Sequence, residues 1–168
     1  MKFLRPAGGQ IRFSQATILR IKAHVQRHDR SPEAGRILIG RLLTEDDGVI
    51  VDEVTVPGPQ DRRSRFRFFR AERPAQKTVD EAWTRSGGEI NYLGEWHTHP
   101  EDDCKPSQHD RTDWRRLVAT QRYEQDALFF VIAGRQMLRV WELARGKAVP
   151  LPLSLLGSGP DDEAQPTD

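Results

Sequence analysis

The stretch His97-Thr98-His99-Pro100, followed by Ser107 and Asp110, constrains this chain more than any other. Side chains on a strand repeat every two residues, so His97 and His99 are expected on one strand face. Pro100 has no N–H to donate to a ladder and ends the strand. Six loop residues then lead to Ser107, where a helix is expected to begin with Asp110 in its first turn. The segment therefore demands a strand, a short crossing and a helix start that faces the strand end. Two neutral imidazole nitrogens and one carboxylate leave the fourth corner of a tetrahedron to water, the arrangement of a catalytic zinc site. His97, His99 and Asp110 are the candidate ligands, and hydrolysis is the candidate chemistry.

Plainer readings exist for each residue. Ser107-x-x-Asp110 ahead of Trp114, Leu117 and Val118 is also a variant of the helix capping box. Capping needs no imidazole neighbours, so it does not account for the His pair, and Ser107 can serve both purposes. His24 and His28 are four apart, but Val25 stands where a zincin helix needs Glu. His109 points about 100° away from Asp110 round the helix and stays outside the ligand set. Cys104 lies in the loop between ligands, where both nearby histidines are committed and none is left as a thiol's base. It reads as a loop residue. Two carboxylates compete as the proton carrier. Glu95 precedes His97 by two positions on the ligand face, and Glu33 stands just before the strand expected beside it.

A distant Glu, then His-x-His-Pro, six residues, Ser, two residues and Asp resembles the JAMM (JAB/MPN/Mov34) zinc metalloproteases. The resemblance covers roughly residues 31–134. It implies one α/β domain, a curved mixed sheet flanked by helices, with one long helix on each side. It implies one zinc per chain on His97, His99 and Asp110, with Ser107 at the oxyanion. The segment Glu33 to Gly40 is similar to the family's base-bearing segment, so the resemblance assigns the base to Glu33; Glu95, on the ligand face, could instead accept a His N–H. The implied substrate is the bond at the C-terminus of a ubiquitin-like or ubiquitin-style conjugated protein. Its extended tail would add as a strand beside the groove. The chain looks most like the small bacterial branch that includes the deconjugating proteases of CBASS antiphage operons, which release a cyclic-nucleotide synthase from its conjugates. Alternatives are processing of a sulfur-carrier or ubiquitin-like protein, or a non-catalytic MPN-type scaffold. A metal-dependent nuclease or phosphoesterase using Arg62–Arg70 is a third, although such sites usually want more carboxylates and often two metals.

A length of 168 residues suits one domain, drawn here as 1–156. Residues 157–168, rich in Pro, Gly and acid, are expected to be a disordered tail. A net charge of +1 gives no general pull toward nucleic acid, and none is expected as a partner. No run of apolar residues is long enough to span a membrane. The start has no apolar signal region and the chain holds one cysteine, so a cytoplasmic location is expected. The pattern predicts a strand at Ile11–Phe13 and a helix from Gln15 to about His28 capped by Ser14. Strands at 36–43 and 49–56 are expected to pair as an antiparallel hairpin. A half-buried strand is expected at 65–69, with Phe66 and Phe68 inward and arginines in water, then a helix at 74–86. The ligand strand follows at 90–99, its helix at 107–121, and strands at 126–133, 137–143 and 148–153. Trp83, Trp96, Trp114 and Trp141 are expected in the core or as groove walls.

Overall fold

The computed structural model describes residues 1–28 and 30–157. Eleven strands and three helices follow in the order β1 (Lys2–Leu4), β2 (Gln10–Phe13), α1 (Gln15–Lys22), β3 (Gly35–Leu42), β4 (Val49–Val54), β5 (Arg62–Ser64), β6 (Arg67–Phe69), α2 (Glu72–Arg85), β7 (Asn91–Thr98), α3 (Gln108–Thr120), β8 (Ala127–Ala133), β9 (Leu138–Ala144), β10 (Leu151–Pro152) and β11 (Ser154–Leu156). Nine strands form one mixed sheet in the order β10-β9-β8-β7-β3-β4-β2-β1-β11. The β2–β4 and β7–β8 pairs are parallel and the others antiparallel. A parallel pair cannot be joined by a tight turn, so α3 carries the crossover from β7 to β8. The expected α/β class and mixed sheet are present.

The two ends of the sheet meet in one stretch of chain. β10 pairs with β9, Leu153 N–H donates to Val140, and β11 pairs with β1. Arg5 reinforces the junction with two bonds to the Glu142 carboxylate and a guanidinium 5.2 Å from the Phe129 ring centroid. The sheet thus curls around an inner core built from residues such as Phe3, Ile11, Leu38, Leu93, Trp96 and Val131, which Ile18 and Ile21 of α1 complete. The outer face carries a second core, in which Ala75 and Ala82 of α2 and Trp114, Leu117 and Val118 of α3 cover Ile37, Phe130 and Leu143. Both longer helices therefore lie on the same face, and the opposite face takes only the eight-residue α1.

Several sequence expectations needed correction. The first helix stops at Lys22 rather than near His28, because the chain turns to bury Gln26. The Gln26 amide donates to the carbonyls of Ser31 and Arg65 and accepts from Thr98 Oγ1, which a continuing helix could not arrange. The predicted strand at 65–69 is a two-stranded hairpin apart from the main sheet, with Phe66 exposed and only Phe68 half-buried. Trp83 is exposed, since α2 turns its alanines to the sheet, whereas the other three tryptophans are buried. The predicted strand at 148–153 forms only at Leu151–Pro152 as β10, and β11, beyond that range, pairs with β1 at the other edge. β1 was not foreseen. The expected tail, apart from Gly157, lies outside the described residues.

A bulge in β7 decides which way the histidines face. Leu38 pairs with Gly94 and Ile39 with Tyr92, so Leu93 is an extra residue without an opposite number. Tyr92 packs in the outer core, whereas Leu93 and Trp96 both pack in the inner core. Strict alternation from Tyr92 would have sent His97 inward; the bulge reverses the phase and turns it outward. Gly94 sits at φ +142°, and a Cβ there would lie 1.9 Å from the Phe129 carbonyl oxygen. Gly94→Ala is therefore expected to lower stability by about 3 kcal/mol or more, through strain and displacement of β8. Urea unfolding of the variant beside the parent chain measures this, and a midpoint close to the parent's would show that the bulge does not need glycine.

Candidate active site

The outer end of β7, the start of β3 and the start of α3 converge on one cleft, lined by Glu33, His97, His99, Ser107 and Asp110. β3 runs antiparallel to β7 with Gly35 opposite His97, which brings Glu33 to the His pair. Gly35 is required there because a Cβ would lie 2.5 Å from the Trp96 carbonyl oxygen and 2.9 Å from His97 Cβ. Thr98 points inward and locks the two segments together. Its Oγ1 accepts from Ala34 N–H, and its own N–H donates to the Ala34 carbonyl.

Ser107 caps α3 as its spacing suggested. Its Oγ accepts from Asp110 N–H at 3.2 Å, and the Asp110 carboxylate accepts from Ser107 N–H at 2.6 Å. The capping box aims the Asp110 carboxylate at the histidines. His97 Nε2 lies 3.0 Å from His99 Nε2 and 3.2 Å from Asp110 Oδ1, while His99 Nε2 lies 3.5 Å from Asp110 Oδ2. Four tetrahedral ligands at zinc distances of 2.0–2.1 Å would stand about 3.3 Å from one another. The three observed separations bracket that value, so the donor set fits a tetrahedral cation. Glu33, His97 and His99 likewise offer ligand atoms that all lie within 4.8 Å of one another. A buried Glu-His-His group with a close aspartate could bind a metal ion.

The charges at the site are coupled. Burial pushes the Glu33 carboxyl above its usual range, and Asp110 adds to that, against the opposing pull of His97 and His99. Burial would also raise Asp110, but hydrogen bonds from His97, His99 and Ser107 outweigh it and hold the carboxyl far below the ordinary range. For His97, burial works against the charged form, and the Asp110 bond with nearby Glu33 and Glu95 overcomes it, so its pKa is raised. The same surroundings thus move the two carboxyls in opposite directions, Asp110 down and Glu33 up.

The structure brings together all five residues picked out by sequence: Glu33, His97, His99, Ser107 and Asp110. Glu95 also lines the cleft, yet its carboxylate is engaged by Arg70 at 2.7 Å and by the Tyr92 hydroxyl at 3.4 Å rather than by a histidine. His24 packs against Trp96, and His109 stays outside the His–Asp cluster beside Asp113 and Phe69. Sequence reasoning missed Glu101, whose carboxylate lies 3.5 Å from His99 Nδ1. It also missed Arg63, whose Nε donates to the Glu33 carbonyl, and the Ser64 carbonyl that accepts Glu33 N–H. Neither contact leaves a sequence motif, because both run through the backbone of Glu33.

Known proteins resemble this chain over most of its length. A family profile described as prokaryotic homologs of the JAB domain matches residues 14–144. A CD-NTase/cGAS isopeptidase of Pseudomonas aeruginosa is 39% identical over 136 residues, covering 81% of this chain and 84% of that protein. Proteins of the same name from Vibrio cholerae and Escherichia coli are 37% and 34% identical, each covering 71% of this chain and 72% of their own length. The solution structure of a Desulfitobacterium hafniense protein superposes with a TM-score of 0.57 at 21% identity, over 80% of this chain and 85% of that one. At that identity it speaks for the fold alone.

Cys104 provides a check on the loop that joins the two halves of the cluster. Its thiol is buried, donates to the Ile132 carbonyl, and has its pKa pushed up to about 11, chiefly by burial. A raised pKa keeps the thiol protonated through neutral pH, and the stability this contributes fades only as pH climbs from about 9 toward 11. In the folded protein Cys104 is expected to resist a disulfide reagent at pH 8 and to react fully in denaturant. Rapid labelling of the native chain would show that the 101–106 loop opens.

Proposed function

Because the chain belongs to the prokaryotic JAB-domain family, we propose that it is a zinc-dependent isopeptidase that cuts the bond joining the C-terminus of a conjugated protein to its target. The observation that carries the reading is the triangle of His97, His99 and Asp110 donors at 3.0, 3.2 and 3.5 Å, with buried Glu33 alongside. In this proposal those three residues hold the metal and Glu33 is the base. Asp110 is the better ligand since its oxygens already stand at ligand–ligand distance from both imidazoles.

Zinc, when bound, supplies Lewis-acid chemistry, bringing the pKa of water toward about 7 and polarising a carbonyl. Glu33 removes the proton from water as its oxygen adds to the scissile carbonyl carbon. The same carboxyl then donates that proton to the departing nitrogen as the C–N bond breaks, leaving an amine and a carboxylic acid that ionise to an ammonium and a carboxylate. Ser107 Oγ accepts from Asp110 N–H through a lone pair, so its own proton is available to the developing oxyanion. Trp114, stacked on Phe130 at 4.6 Å, forms the apolar wall behind His97.

For substrate, the relatives' shared name points to a nucleotidyltransferase released from its conjugates, and with it to a role in bacterial antiphage defence in the cytoplasm. No helix among the described residues is long and apolar enough to cross a membrane. Processing of a ubiquitin-like or sulfur-carrier protein would use the same chemistry on a different tail.

The test is cleavage of a nucleotidyltransferase C-terminus fused to a reporter, followed by gel shift with and without chelator. Chelator is expected to abolish cleavage and added zinc to restore it. Glu33→Gln should lose at least about 10³-fold in kcat while retaining about one zinc per chain by elemental analysis. His97→Ala should lose the zinc itself. Ser107→Ala should cost about 10²–10³-fold in kcat if its hydroxyl meets the oxyanion. Undiminished turnover in the Glu33 variant would refute the assigned base, and chelator-resistant cleavage would refute the metal.

A further inference from the structure

The β5–β6 hairpin forms one wall of the active cleft through Phe66, Arg67 and Phe68. It is pinned at both ends. Asp61 accepts from Gly58 N–H and Ala71 N–H, and Arg70 pairs with Glu95. A closed base of this kind gives no reason to leave aromatic rings in water, yet Phe66 at the tip is 67% exposed and Phe69 is 44% exposed. The Arg65 guanidinium lies over the Phe66 ring at 5.0 Å, which holds the ring out as a flat apolar face. The exposed Arg62 and Arg67 side chains meet no carboxylate among the described residues. Folding thus accounts for Arg63 and Arg70, and Phe69 also meets the His109 ring, but Phe66, Arg62 and Arg67 are left without such a role.

Resting on the isopeptidase reading and extending it to the substrate, we infer that this hairpin selects a protein segment carrying acidic and apolar residues next to the scissile bond. The acids would meet Arg62 and Arg67, and the apolar side chains would meet Phe66 and Phe69. A nucleic acid fits less well. Its phosphates need a continuous basic track, whereas Arg67 is the one Arg or Lys among the described residues lining the cleft and the chain's net charge is only +1.

The test reads binding rather than turnover, by fluorescence anisotropy of labelled peptides on the zinc-loaded full chain. One peptide mixes Glu with Leu, a second has Ser for each Leu, and a third has Lys for each Glu. A single-stranded oligonucleotide of equal length is the fourth probe. The Glu/Leu peptide is expected to bind best and to weaken as salt rises. The double variant Arg62→Glu/Arg67→Glu should weaken it about tenfold or more, and Phe66→Ser should remove its advantage over the Ser peptide. Lys147→Glu, at the opposite end of the sheet, should change nothing. Equal affinity for the Glu and Lys peptides, or an oligonucleotide that binds more tightly and loses as much in the double variant, would overturn the proposal. Unchanged KM in a double variant that still cleaves its substrate would do the same and leave the chemistry standing. A chain that discriminates among the peptides yet cleaves nothing would refute the chemistry and spare the surface.

Discussion

The phase of one strand governs this molecule. Without the extra residue at Leu93, β7 would present its imidazoles to the apolar inner core, where their burial would be costly. With it, the residues from Glu95 onward exchange faces, and His97 emerges under the helix side of the sheet. Gly94 tolerates the required backbone and lets β8 approach closely. Everything at the site inherits its direction from that reversal, including the side from which a substrate tail must arrive.

Given that direction, the other parts are placed by backbone hydrogen bonds rather than by side-chain packing alone. Ser107 and Asp110 are joined by a capping box, so the aspartate is fixed by the start of its own helix. Glu33 is gripped at both its N–H and its carbonyl by the Ser64 and Arg63 of the β5–β6 hairpin. The hairpin therefore does two things at once: it forms a wall of the cleft and it positions the carboxylate proposed as base. Electrostatics then separates the two carboxylates. Asp110 is kept ionised by its donors, and Glu33 is drawn toward protonation by burial.

Much of the site was legible because its information is local. The spacing from His97 to Asp110 encodes a strand end, a loop and a helix cap, and each of these formed where the residues demanded. The α/β class and the hairpin of β3 and β4 could likewise be read from alternation and turn residues. What could not be read depends on contacts distant in sequence. The early end of α1 reflects the Gln26 amide finding Arg65 and Thr98, 39 and 72 residues away. β1 and β11 are short strands that exist because the sheet closes on itself, which no window of sequence reveals. Phe66 and Phe68 alternate like a half-buried strand, yet the hairpin that carries them stands apart from the sheet, so periodicity misjudged their burial. The choice between Glu33 and Glu95 was open from the residues alone. The Arg70 partner of Glu95, 25 positions earlier in the chain, argues for Glu33.

The most direct measurement is an anomalous difference map, collected at the zinc edge from crystals of the zinc-loaded protein. One strong peak per chain is expected, about 2.0–2.2 Å from His97 Nε2, His99 Nε2 and an Asp110 oxygen, with the Glu33 carboxylate beyond bonding distance. A peak bound by Glu33 in place of Asp110 would exchange the proposed ligand and base. No peak between the two histidines would contradict the metal centre altogether.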